Sequence, residues 1–354
     1  MRRCFRWPKT RLFRWNSTLS FIDDLEKLTK VLDEAKRGCR APERVSALST
    51  AIACQPNAET TVALLPETIS ILARACRYLK SHGQSLTETS KTFLQHWVSA
   101  QVNNLSPAAC AQVLVDARRM RLELAVDVWQ RLLSGLPEAN FDDPSALVSV
   151  VAVTASVCRG TGAIAPPGFF RAAVVFLARR ARDLKEKDCV AILFAAFRLR
   201  DENEIVALRS VMSRVAPAMN ALQPRELVQL FQALVWIAGF ESDDLLRSCT
   251  LHLQQPIVLD ELLPEDVHAV CKSCLVVRRS KRHRAKLVSS LPQLRKLVSL
   301  LATRVVSLQG RFSSQAARHI LECFSGFDVK TTGFVRSRLS ATSANVDVSS
   351  TFDR

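Results

Sequence analysis

Glycine is scarce in this chain, 10 of 354 residues, and aromatic residues make up only 6%. Turn-rich sheet proteins draw on both, glycine for left-handed turns and aromatics for pleated surfaces, so their shortage argues against a β architecture. Leu, Ala, Val, Arg and Ser recur throughout instead, a composition that favours helix. With 48% hydrophobic and 23% charged residues, the chain reads as folded rather than disordered. The expected class is all-α.

Catalytic signatures are missing too. No G-x-x-x-x-G-K-[ST], G-x-S-x-G or H-E-x-x-H occurs, so a P-loop, a nucleophile elbow and a helical zinc-protease site are not expected. The glycines of "RGTGAIAPPG", from Arg159, follow a helical pattern rather than a strand and read as a connection. Asp142 with Asp143, and Asp243 with Asp244, read as acidic helix starts, where the helix dipole favours negative charge. A carboxylate nuclease site would have to pair such groups, and nothing in the sequence pairs them. The expectation is no enzyme and no cofactor.

Long apolar runs are also lacking. Crossing a bilayer takes about 18 apolar residues. The nearest stretch, "SALVSVVAVTASVC" at 145–158, is shorter and contains Ser and Thr, so no membrane span is expected. Acid is absent before Asp23, while 1–20 carry Arg2, Arg3, Arg6, Lys9, Arg11 and Arg14 interleaved with Phe, Trp and Leu. Without the apolar centre of a secretory signal, this pattern predicts a mitochondrial presequence and delivery to the matrix. A basic tail that binds nucleic acid directly is the alternative. Of the formal net charge of +16, +10 remains once those six basic residues are set aside.

What the chain does have is a repeat. Taking Pro66, Pro107, Pro144, Glu186, Pro224, Pro264 and Ser314 as first helical positions, successive starts fall 37 to 42 residues apart, with a last interval of 50. Proline suits that position because its missing N–H has no intrahelical partner there, and Ser106 and Asp143 are good N-caps before two of these prolines. Apolar or small residues follow each start at offsets 3, 6, 7 and 10, one stripe of a helix. They are Ile69, Leu72, Ala73, Cys76; Cys110, Val113, Leu114, Ala117; Leu147, Val150, Val151, Thr154; Cys189, Ile192, Leu193, Ala196; Leu227, Leu230, Phe231, Leu234; Val267, Val270, Cys271, Cys274; and Ala317, Ile320, Leu321, Phe324.

Most units add a second amphipathic segment, such as Leu124, Val128, Trp129 and Leu132, or Ile205, Leu208, Val211 and Met212. A lone hairpin cannot bury such faces, whereas stacked neighbours can. The prediction is an α-solenoid of about seven helical-hairpin repeats over 66–340. It would be preceded by a presequence (1–20) and a helical cap (21–65) and followed by a disordered tail (341–354).

The motif that most suggests chemistry is "HAVCKSCLVVRRSKRH" at 268–283. C-x-x-C beside histidine is a zinc or thiol-exchange signature only in the right context. Cys271 and Cys274 fall at core offsets, filled elsewhere by Leu114 and Ala117 or Phe231 and Leu234, and no second C-x-x-C exists to complete four zinc ligands. Both are expected to pack as small apolar groups, with no metal, and His268 to lie on the helix flank. The cysteine spacing resembles no disulfide framework, which suits a reduced protein.

Charge follows the same period. Near offsets 11 to 14 stand Arg77 and Lys80; Arg118, Arg119 and Arg121; and Arg198 and Arg200. The sixth unit carries Arg278, Arg279, Lys281, Arg282 and Arg284. Arginine at a helix end can simply complement the dipole. A recurring basic edge on a basic protein also suits a phosphate backbone, which adds affinity through counterion release without base readout. These twelve residues are the candidate RNA-binding set.

The segments "LKEKDCVAILFAAFRLRDENEIVALRSVMSRV" and "LQPRELVQLFQALVWIAGFESDDLLRSC" resemble the helical-hairpin repeats of organellar RNA-associated proteins, the octotricopeptide, heptatricopeptide and FAST-kinase-like group. The resemblance, one of period and pattern, spans roughly 66–339. It implies RNA handling in mitochondria: transcript stabilisation, processing or editing, or mitoribosome assembly, on mRNA, rRNA or guide-type RNA, together with other proteins of a ribonucleoprotein complex. The shorter pentatricopeptide period is not met, and the C-terminal RAP-type domain common in the group is missing, so nuclease activity is not implied. The competing expectation is a non-catalytic scaffold or structural subunit whose basic surface faces acidic partners.

Overall fold

A computed structural model describes residues 18–37, 41–53, 65–139, 141–199, 205–237, 244–280, 287, 290–308 and 312–329. Most of the expected presequence lies outside them, as do the 341–354 tail, Arg200, Lys281, Arg282 and Arg284. Among the described residues there are sixteen α-helices and no strand. The chain divides into two compact units, Met1–Ala139 and Asn140–Arg354, so the boundary falls inside the run of repeat starts, between Pro107 and Pro144.

The first unit contains α1 (Thr18–Lys36), α2 (Pro42–Ala53), α3 (Leu65–Ser81), α4 (Glu88–Gln101), α5 (Pro107–Arg119) and α6 (Val126–Ser134). Here α3 packs on both α1 and α5, while α2 packs on α4 and α6 on α5. The second unit contains α7 (Pro144–Thr161), α8 (Phe169–Arg179), α9 (Glu186–Leu199), α10 (Arg209–Val215), α11 (Pro224–Ile237), α12 (Asp244–Leu253), α13 (Pro256–Glu261), α14 (Pro264–Arg279), α15 (Leu291–Ser307) and α16 (Ser314–Gly326). Its backbone of contacts runs α7 to α9 to α11 to α14 to α16, and α8, α10, α12 and α15 pack against these and against one another.

Helices begin where the proline pattern places them. Pro107, Pro144, Glu186, Pro224, Pro264 and Ser314 open α5, α7, α9, α11, α14 and α16, and Pro66 is the second residue of α3. Ser106 accepts the Ala109 N–H (3.3 Å), Asp143 those of Ser145 and Ala146 (3.0 and 3.2 Å), and Ser313 that of Ala316 (3.3 Å). Such bonds satisfy donors that the first turn leaves open. Ahead of α11 and α14 the polarity reverses. There the Gln223 and Leu263 N–H groups donate to Glu226 (2.9 Å) and Asp266 (3.2 Å).

The stripe at offsets 3, 6, 7 and 10 is the core. All of its members are buried except Cys76 and Leu321, which are half-buried. The second segments keep the pattern with less helix than expected. Ile205 and Leu208 are buried in a turn ahead of α10, closed by Leu208 N–H to the Ile205 carbonyl at 3.1 Å, and Leu124 is buried ahead of α6.

"RGTGAIAPPG" connects α7 to α8, with Gly162 and Gly168 at φ of 80° and 76°. Helix α7, with 18 residues and mean hydropathy 1.2, is long and apolar enough to cross a membrane by length and composition. In this fold it packs on α9 and α8, with Leu147, Val150 and Val151 buried.

Candidate nucleic-acid interface

In the first unit the candidate basic side chains stand at or near the ends of two packed helices. Gln112 of α5 lines the same cavity as Pro66, Glu67, Ser70, Ile71 and Arg74 of α3. Arg77 and Lys80 toward the end of α3, and Arg118, Arg119 and Arg121 at the end of α5, are all exposed. Arg119 Nη1 pairs with Asp116 at 3.0 Å, and Asp116 is buried and also accepts from Gln112, so this cation is anchored to the helix that carries it.

Both helices finish in the same motif. At α3 the Gln84 N–H reaches back to the Leu79 carbonyl (2.9 Å) and Gly83 to Lys80 (3.1 Å); at α5 the Leu122 N–H reaches Ala117 (3.0 Å) and Arg121 reaches Arg118 (3.1 Å). This ending needs one residue in the left-handed region, normally glycine. Gly83 fills it at φ 72°, and Arg121 fills it at φ 58°.

In the second unit the candidates behave differently from one another. The Arg198 guanidinium stacks 4.6 Å from the Phe194 ring centroid, and its side chain is half-buried. Arg279 Nε donates to Glu322 at 3.2 Å, with Nη2 on the same oxygen, tying α14 to α16. Arg278 is exposed, and its Cγ lies 3.4 Å from where a Cβ would stand at Gly326. Arg119 and Arg198 are thus engaged by neighbours on their own helices, and Arg279 by a carboxylate across the α14–α16 contact. Arg200, Lys281, Arg282 and Arg284 lie outside the described residues.

The C-x-x-C pair occupies the α14–α16 seam. Cys271 and Cys274 are fully buried, and both thiols share hydrogen bonds with Cys323 of α16. That sharing, and then burial, holds both well above the ordinary thiol range, so they stay protonated and pack as apolar groups. Among the described residues no group of three or more His, Cys, Asp or Glu is placed to hold a metal ion.

One turn before Cys271, His268 is not a free flank residue. Its Nε2 lies 2.9 Å from Nδ1 of His319, with the rings stacked at 5.2 Å. Burial first, then the neighbouring His319 and Lys272 charges, holds His268 below its ordinary 6.5.

A further basic cluster escaped the offset count because it lies on second helices. Arg179 at the end of α8, Arg182 in the turn after it and Arg214 of α10 line a recess of about 370 Å³ with Ser210, Ser213 and two alanines. The signal in sequence was the run R-R-A-R at 179–182.

No protein-family model matches the chain, and no curated protein matches it. A solved structure described as "Computational Design of Self-Assembling Cyclic Protein Homooligomers" aligns over 94% of this chain and 95% of its own. The identity is 9% and the TM-score 0.16, too little similarity to bear on fold or function.

Proposed function

We propose that the chain is an α-solenoid of about seven helical hairpins that binds RNA in the mitochondrial matrix, chiefly through its phosphate backbone. The observation that carries this reading is the set of cations toward the ends of α3 and α5. Arg77, Lys80 and Arg121 are exposed there, with no carboxylate partner among the described residues. Cations without a local partner sit among mobile counterions, and releasing those to the solvent favours binding to a phosphate chain. In this reading α7 is a core helix and the protein has no catalytic role. It would act in transcript stability, processing or editing, or in mitoribosome assembly.

A salt titration of RNA binding tests it. Replacing Arg77, Lys80 and Arg121 with Gln should leave the fold intact and flatten the plot of log K against log salt by roughly 0.7 per lost contact on a single strand. Superimposable lines for wild type and variant would reject the phosphate reading. For the location, 1–20 fused to a reporter should enter mitochondria, and retention in the cytosol would reject it.

The second reading is a scaffold or structural subunit of a ribonucleoprotein complex. It is favoured by Arg119 and Arg279, whose charges serve ion pairs within the fold. Crosslinking the tagged protein in organelles, with RNA and protein partners read together, separates the two.

A further inference from the structure

We infer that the recess between α8 and α10 is a binding pocket for one phosphoryl group, a phosphate monoester or free phosphate. This goes beyond the basic edge, which involves other residues and needs only a diffuse field. Three arginines line the recess, Arg179, Arg182 and Arg214, and no acidic residue does. Arg180, within the same run, is turned aside, with its guanidinium 4.8 Å from the Phe176 ring centroid. The sequence R-R-A-R therefore sends two of its three arginines to the recess.

The charge count fits a phosphate dianion. Arg214 Nη2 pairs with Glu186 at 3.2 Å, outside the lining, while Arg179 and Arg182 are exposed and have no carboxylate partner among the described residues. Three cations less one carboxylate leave two positive charges, against about −1.5 to −2 on a phosphate monoester at neutral pH. An internal phosphodiester, with a single charge, would match less well.

The recess is held in shape without a ligand. Ser210 Oγ donates to the Ala178 carbonyl at 2.8 Å, fastening α10 to α8, and Ser213 Oγ donates to the Ser210 carbonyl at 2.9 Å. With their protons so used, the serines shape the site and the arginines supply its donors.

The test uses the full chain and two probes, inorganic phosphate by calorimetry and a pair of otherwise identical oligoribonucleotides with a 5′-phosphate or a 5′-hydroxyl. Wild type should bind inorganic phosphate. The exposed double substitution Arg179→Gln with Arg182→Gln should weaken that binding by roughly a hundredfold, about tenfold per charge-assisted contact, and Arg180→Gln should leave it unchanged. Preference for the phosphorylated oligonucleotide, lost in the double variant, would identify the monoester as an RNA end. Phosphate binding without that preference would support the pocket and assign it to a small phosphorylated ligand. No phosphate binding, or equal loss in Arg180→Gln, overturns the proposal, even if RNA still binds through the cations toward the ends of α3 and α5.

Discussion

Between α14 and α16, side chains known for metal and redox chemistry are enclosed and mutually satisfied; between α8 and α10, arginines line an open recess. The thiols of Cys271 and Cys274 hydrogen-bond with Cys323, and His268 meets His319 at 2.9 Å. Cys271 and Cys274 are held protonated and His268 is pushed toward its neutral form, so these side chains can be folded into a seam. Arginine cannot shed its charge. Arg179, Arg182 and Arg214 therefore stay where water or an anion can reach them. A residue type suggests chemistry, but the protonation state it can adopt decides whether the fold absorbs it.

The sharpest way to break that comparison is to put a fixed charge on each side. Cys274→Asp leaves a carboxylate without a partner at a fully buried position and should cost about 3–5 kcal/mol. Arg179→Asp, on an exposed side chain, should stay within about 0.5 kcal/mol. Urea denaturation compares the two, and similar losses would erase the distinction. Next in size, Cys271→Ala and Cys274→Ala should each cost about 1 kcal/mol as small buried truncations. Metal analysis of wild type and double variant should find no stoichiometric zinc in either; zinc lost with the cysteines would turn the seam into a site.

A smaller effect is expected from the histidine pair. His268 is held below 6.5, so the unfolded chain takes up its proton first as pH falls. Stability is then full above about 6.5 and declines below it, until His268 itself charges. The urea midpoint should drop between about pH 7.5 and about pH 5.5 by more in wild type than in His268→Gln. Equal drops would remove the pair from the acid response.

Much of the fold is legible along the chain because its signals are local. Proline at a first turn, a serine or aspartate before it and a stripe of period 3.6 are properties of a dozen consecutive residues, and they place α5, α7, α9, α11, α14 and α16. The chemistry between helices is not local. Arg279 meets Glu322 and His268 meets His319 only because α14 and α16 lie side by side in one register, which no single helix encodes. Arg179 and Arg214 share a recess only because α8 and α10 pack together. The division after Ala139 likewise interrupts a period that continues in sequence without a gap.

Arg121 brings fold and surface into direct conflict. It holds the left-handed position, φ 58°, that glycine fills at the end of α3. A side chain there costs about 1–2 kcal/mol, of which about 0.5–1 is recovered because arginine leaves the unfolded chain less free than glycine would. Arg121→Gly should therefore raise the urea midpoint slightly, by less than about 1 kcal/mol of stability. The same change takes a cation from the end of α5. A redesign that scored stability alone would choose glycine at 121 and, in improving the protein, would remove one of the charges on which the proposed RNA binding rests.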